Sequence, residues 1–236
     1  VLLSCFVLTV AGAPVSIVAV ANSDNVAAYS TDGINWTQTT MPASRYDWGS
    51  VCYGAGKFVA IASGVEGVAA YSTDGINWTK TTISDEVWWY SVCYGAGKFV
   101  AVGGSDDRAA YSKDGINWTL TTLPANKTWL SVCYGAGKFV AVNYSSNIAA
   151  YSTDGINWTQ TTMPASGIGN SVCYGAGKFV AVANSDNVAA YSTDGINWTQ
   201  TTMPASGIGN SVCYGAGKFV AVANSDNVAA YSTDGI

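Results

Sequence analysis

The chain has 236 residues, 49% apolar and 11% charged, and its 15 acidic and 10 basic side chains leave a net charge of −5. This is a globular composition, unlike that of a disordered or highly charged helical chain. No Lys/Arg cluster could follow a phosphate backbone, which argues against nucleic acid as a partner, and the absence of histidine removes Ser-His and Cys-His nucleophile pairs, HExxH zinc sites and imidazole bases.

The first thirteen residues have two readings. Val1 to Val10 is an apolar run followed by Ala11-Gly12-Ala13, like the end of a secretory signal peptide without its charged start. Counted back from the repeat described next, Thr9-Val10-Ala11-Gly12 falls where later units have Ser-Val-Cys-Tyr, which makes the same stretch a first strand. No segment is long and apolar enough for a membrane-spanning helix.

From Tyr29 onward the motif Tyr-Ser-Thr-Asp-Gly-Ile recurs at Tyr71, Tyr151, Tyr191 and Tyr231, with Lys113 replacing the Thr in the copy at Tyr111. The spacing is 42 residues once and 40 thereafter, a period that marks a stacked or circular array. Within one unit the pattern predicts a strand over Ser171 to Gly175, a turn at Ala176-Gly177, a second strand over Lys178 to Ala183 and a third over Val188 to Ser192. Thr193-Asp194-Gly195 then turns into a fourth strand, Asn197 to Thr202; the Asp-Gly pair suits a position needing positive φ. Four short antiparallel strands per 40 residues describe a propeller blade, whereas a β-helix or leucine-rich horseshoe needs shorter coils.

The expected fold is therefore all-β, a six-bladed β-propeller in one domain, 1–236, with blades at about 1–41, 50–83, 91–123, 131–163, 171–203 and 211–236. The last blade lacks its outer strand. A continuing chain, the stretch Val1 to Phe6 or a strand-donating partner could cover that edge. Cys52, Cys93, Cys133, Cys173 and Cys213 occupy one repeat position and read as small buried hydrophobes, not as disulfides or a thiolate metal ring. They leave the redox compartment open.

The segment Ser-Thr-Asp-Gly-Ile-Asn-Trp, at Asp32 to Trp36, Asp74 to Trp78, Asp114 to Trp118, Asp154 to Trp158 and Asp194 to Trp198, resembles the Asp-box repeat of sialidase-like, BNR-type propellers. The family pattern is Ser-x-Asp-x-Gly-x-x-Trp, and here one residue between Asp and Gly is missing. The fuller unit, Ser-Val-Cys-Tyr-Gly-Ala-Gly-Lys-Phe-Val-Ala-Val with Ala-Tyr-Ser-Thr-Asp-Gly, is also similar to repeats of phage tail or virion appendages and bacterial surface proteins. That resemblance implies an extracellular, virion-surface or cell-surface setting. The Asp and Trp read as turn-building residues. A sialidase-like activity would need three arginines and a Tyr-Glu nucleophile pair, and the chain has only Arg45 and Arg108.

Differences among the repeats fall in two places: between blades, and after each second strand. The former read Arg45-Tyr46-Asp47-Trp48, Asp85 to Tyr90, Lys127 to Leu130, and twice Gly-Ile-Gly-Asn; the latter are Gly64 to Gly67, Ser105 to Arg108 and Asn143 to Asn147. Alternating strand directions put both loop types at one end of the blades, as a recognition surface requires. Exposed aromatic residues with a few charges suit binding, including sugar stacking. The candidate ligand-binding residues are Arg45, Tyr46, Trp48, Glu86, Trp88, Trp89, Tyr90, Arg108, Trp129 and Tyr144. For Trp48, Trp89 and Trp129, each two residues before a strand serine, sealing the core is an equal alternative.

Other motifs carry less. Glu66 and Glu86 could pair with Asp47 or Asp107 as glycosidase carboxylates, but spacing does not fix their separation. Gly-Ala-Gly-Lys at Gly175 to Lys178 lies in a hairpin, unlike a phosphate loop, and Lys57, Lys98, Lys138, Lys178 and Lys218 read as a solvated ring on the opposite face. Repeated Asn-Trp-Thr, with Asn126-Lys127-Thr128 and Asn143-Tyr144-Ser145, matches the N-glycosylation acceptor pattern. The expected function is a non-enzymatic propeller binding a glycan or protein receptor, with no catalytic residues, metal or cofactor. A structural assembly module is the alternative.

Overall fold

The computed structural model describes residues 3–7 by backbone alone and 17–21, 25–43, 47–64, 67–83, 87–104, 106–183, 187–205, 209–223 and 228–236 in full. The described chain is all β, a six-bladed β-propeller in which five sheets have four strands and the last has three. It divides into two compact units, residues 1–103 with 109–121, and residues 104–108 with 122–236.

The first unit holds three sheets. One contains β1 (Leu3–Val7), β2 (Ile17–Ala21), β3 (Val26–Ser30) and β4 (Thr37–Thr40). Next come β5 (Asp47–Gly54), β6 (Lys57–Ser63), β7 (Val68–Ser72) and β8 (Thr79–Thr82), then β9 (Trp89–Gly95), β10 (Lys98–Gly103), β11 (Arg108–Ser112) and β12 (Thr119–Thr122). In the second unit one sheet has β13 (Trp129–Gly135), β14 (Lys138–Asn143), β15 (Ile148–Ser152) and β16 (Thr159–Thr162), and another β17 (Ser171–Gly175), β18 (Lys178–Val182), β19 (Val188–Ser192) and β20 (Thr199–Thr202). The last has β21 (Ser211–Gly215), β22 (Lys218–Val222) and β23 (Ala229–Ser232).

The expected first strand moves. β1 pairs Leu3 with Ala21 and Val7 with Ile17, five residues earlier than counting back places it, so more chain separates the first two strands here than in any later blade. Thr9 to Gly12 lies outside the described residues. The same pairing overturns Val1 to Phe6 as the missing outer strand, because Leu3 to Phe6 of that stretch already lies in the inner strand of the first sheet.

Each strand's sequence explains its place. The second strand, Lys-Phe-Val-Ala-Val, is buried on both faces in β10, β14 and β18, as a near-continuous apolar run requires. Its burial stabilises by about 1.5–3 kcal/mol per large side chain. The third strand offers alanines small enough for neighbouring sheets to approach, and Ala149, Ala150, Ala189 and Ala190 are all fully buried. The fourth strand, Thr-x-Thr-Thr, is mostly exposed, yet its third residue reaches the following blade: Thr39, Thr81 and Thr161 donate Oγ1 hydrogen bonds to the carbonyls of Ile76, Ile116 and Ile196 at 2.7, 2.8 and 2.6 Å.

Inner strands are joined by a second repeated bond. The N–H groups of Val92, Val172 and Val212 donate to Ser50, Ser131 and Ser171 Oγ, each at 3.1 Å. Tyr94, Tyr174 and Tyr214 lay their rings over Gly54, Gly135 and Gly175, where a Cβ would overlap the ring. The five repeat cysteines are free, but only Cys52 and Cys93 are buried; Cys213 is exposed, which corrects the expectation of a uniformly buried set. Lys178, expected to be solvated, donates to the Asp234 carbonyl at 2.8 Å and lies 5.4 Å from the Tyr191 ring centre.

Candidate binding loops

Two ends of each blade have different chemistry. At one, the hairpin Ala176-Gly177 takes positive φ at both residues, 46° and 77°, and the Ser-Thr-Asp-Gly turn spends its polar groups internally. Asp154 Oδ1 accepts N–H bonds from Ile156 and Asn157, both at 2.8 Å, and the Ser152 hydroxyl at 2.9 Å; Oδ2 accepts Asn157 Nδ2 at 2.8 Å. Burial pushes this carboxyl up, but those bonds outweigh it and hold it well below the usual carboxylate range. The same arrangement recurs around Asp32, Asp74, Asp114 and Asp194. These side chains build the turn, and the amides of the Asn-Trp-Thr triplets are engaged within it.

The other end carries the variation. In the first unit, Trp48 and Trp89 are completely enclosed, Trp48 beside Val18, Met41 and Phe58 and Trp89 beside Ile61, Val87 and Phe99. They offer no surface to a ligand, so their assignment to binding is corrected in favour of sealing the core. A bulge accompanies each: register shifts between Trp48 and Ser50 and between Val102 and Gly103. Trp88 remains half-exposed at 52%, and Gly103 lets its carbonyl lie against β10 where a Cβ would collide. Tyr90 is partly buried, which raises its phenol pKa. Arg45, Tyr46, Glu66 and Glu86 lie outside the described residues.

In the second unit the varied elements connect. Trp129 is fully buried, its indole N–H donating to the Ala125 carbonyl at 3.1 Å, and it too is withdrawn from the binding set. Its segment is held on two sides: the Leu123 N–H donates to the Asp107 carbonyl at 2.6 Å, and the Tyr144 N–H to the Thr128 carbonyl at 3.2 Å. Loop 106–108, segment 124–128 and loop 144–147 therefore form one continuous strip. Arg108 caps it through Asp106, with Nε to Oδ2 at 3.1 Å and the Arg108 N–H to Oδ1 at 3.0 Å. Tyr144 is 53% exposed.

Asn143 is the residue sequence reasoning passed over as a contact organiser. Buried at the end of β14, it donates Nδ2 to the Ile148 carbonyl, and its Oδ1 accepts the N–H groups of Ser145 and Ser146 at 3.2 and 3.1 Å. Its signal was available: an amide closing an apolar strand where the next two units have Ala183 and Ala223. Among the described residues no group of His, Cys, Asp or Glu side chains could hold a metal ion.

No protein-family model matches the chain, and no curated protein matches it. Solved structures do. Virginiamycin B lyase from Staphylococcus aureus aligns at TM-score 0.77 and 11% identity over 88% of this chain and 73% of that one. A catalytically inactive form of that lyase with quinupristin aligns at TM-score 0.81 and 12% identity, over 97% and 84%. YCF48 bound to D1 peptide aligns at TM-score 0.64 and 15% identity, over 99% and 82%. These likenesses establish the propeller fold. They also overturn the expectation that the chain is not an enzyme: the fold is shared with a lyase, so missing nucleophile pairs and a missing arginine triad do not define a non-enzyme.

Proposed function

We propose that the chain recognises a protein segment through the varied end of its blades, with the strip formed by Asp106 to Arg108, Asn126 to Thr128 and Tyr144 to Asn147 as the main contact. One observation carries this reading. Residues 151–190 recur without change as 191–230, whereas the corresponding loops of the preceding blade differ and are tied together by Asn143, Asp107 and Thr128. Divergence at one end of an otherwise constant repeat concentrates new contacts where loops carry function. The exposed Tyr144 supplies a rigid amphipathic anchor of the type favoured at interfaces, flanked by Lys127 and the Asp106–Arg108 pair. The same fold in YCF48 carries a bound peptide, which supports a protein segment over a glycan as occupant.

Panning the chain against a displayed peptide library, with a glycan array in parallel, tests the reading. Selected peptides should lose at least about tenfold in affinity with Tyr144→Ala, a central aromatic anchor, and less with Lys127→Ala. Peptides indifferent to Tyr144→Ala and Lys127→Ala would refute the placement; glycan binding abolished by Tyr144→Ala would move the occupant to carbohydrate.

A further inference from the structure

We propose that Arg108 is the specificity residue of the strip and holds a carboxylate of the bound protein segment. The inference rests on the strip reading above and adds the chemistry of its occupant. Three residues before the repeat tyrosine the chain places Val26, Val68, Ile148, Val188 and Val228, and an arginine only in the repeat of Tyr111. Val68 is buried, and Val188 packs against the core around Phe179 and Ala190. The position is therefore built for a β-branched apolar side chain. An arginine there gives up that packing: its stem covers apolar ground while its head stays in water, and its side chain is 42% exposed.

The head is held by one edge. Asp106 Oδ2 accepts from Arg108 Nε at 3.1 Å, and Oδ1 accepts from the Arg108 backbone N–H at 3.0 Å. The two Nη groups have no partner among the described residues. A guanidinium committed through Nε presents its Nη pair as a fork that matches a planar carboxylate. Charge narrows the choice of anion. Asp106 offsets the arginine and Asp107 stands beside it in the chain, so a doubly charged phosphate would meet two carboxylates, whereas a singly charged carboxylate meets less repulsion and fits the fork.

The ion pair is not what closes this end of the blade. The bond from the Leu123 N–H to the Asp107 carbonyl recurs from Met163 to Asn147 and from Met203 to Asn187, in repeats that have no arginine. Asp106 itself is the ordinary residue of the loop, present also as Asp24, Asp186 and Asp226. Arg108 is thus what this repeat adds, at a position where the fold asks for valine.

The test takes peptides selected by panning the native chain and resynthesises them with each Asp or Glu changed to Asn or Gln, or with the C-terminus amidated. They are titrated calorimetrically against the native, Arg108→Val, Arg108→Lys and Tyr144→Ala chains. Arg108→Val restores the residue of the other repeats and should keep or raise the native unfolding midpoint. One acid-to-amide change, or the amidation, should weaken binding to the native chain by about tenfold and leave binding to the Arg108→Val chain unchanged. Which of the two does so tells a side-chain carboxylate from a terminal one. Arg108→Lys should keep only part of the effect, because an ammonium lacks the fork. Peptides that need Tyr144 yet bind the Arg108→Val chain as tightly as the native one would overturn the inference and leave the strip reading standing. Equal loss of every peptide on Arg108→Val, with or without its carboxylates, would overturn it in favour of a structural role. Panning that yields no peptide dependent on Tyr144 or Lys127 would remove the strip reading and this inference together.

Discussion

Replacing Asp154 tests whether the repeated acidic turn is a structural device. In Asp154→Ala the N–H groups of Ile156 and Asn157, the Ser152 hydroxyl and the Asn157 amide all lose their shared acceptor. The turn is open enough for water to replace part of this, so the cost should resemble loss of a helix-capping carboxylate, about 1–2 kcal/mol, out of a total on the order of 5–15 kcal/mol. Asp154→Asn keeps one oxygen acceptor but sets its NH2 against Asn157 Nδ2, and should cost about half as much. Because the folded carboxyl titrates below its unfolded value of 3.8, its contribution is present above that value and lost as pH falls toward the folded pKa. Urea unfolding followed by tryptophan fluorescence should show a constant difference between native and Asp154→Asn chains from pH 7 to about pH 5 that closes below about pH 4. A difference that persists unchanged to pH 2, or none at pH 7, would show that the charge does not hold the turn.

Three further outcomes follow from the packing. Gly175→Ala should destabilise by about 1–3 kcal/mol because its Cβ overlaps the Tyr214 ring, while Gly215→Ala should be near neutral, both read by denaturant midpoint. Ala176→Asn should stabilise by about 0.5–1 kcal/mol, measured as a raised Tm, since alanine at φ 46° bears a left-handed penalty that asparagine tolerates better. In the native chain N-ethylmaleimide should modify exposed Cys213 and spare Cys52, whose thiol burial pushes up; mass mapping showing comparable labelling of the two would contradict the burial.

The repeat made the blades legible because period and turn chemistry agree. The residues Ser171 to Gly175, Lys178 and Val188 to Ser192 fall where alternation and the Gly-containing turns put them. The fourth strand begins at Thr199 instead of Asn197 because Asn197 gives both its N–H and its amide to Asp194. The first strand was misplaced because β1 lacks the Ser-Val-Cys-Tyr text and counting assumes a fixed loop. Trp48, Trp89 and Trp129 were ambiguous for a different reason. Strict alternation places each on the same face as the serine two residues on, and only a bulge, invisible as a local sequence signal, separates the two.

That ambiguity has a consequence for how the repeat can change. Trp48, Trp89 and Trp129 vary between blades yet lie wholly inside, and in the next unit Ile168 is equally buried while Gly169 meets the Asn143 carbonyl. Two solutions, a tryptophan across a bulge or an isoleucine between glycines, thus close the same end of the core. Variation there is partly packing, so sequence difference alone overstates the binding surface. Among the described residues of the varied end, what remains exposed after this subtraction is Trp88 in one unit and, in the other, Tyr144 with the strip around it. Those side chains have no enclosing partner to explain their size, whereas the constant end of each blade directs its carboxylate and amide into its own turn. On the proposed reading, binding and stability fall at opposite ends of one 40-residue unit, and substitutions at Tyr144 should alter binding while leaving the unfolding free energy within about 0.5 kcal/mol of the native value.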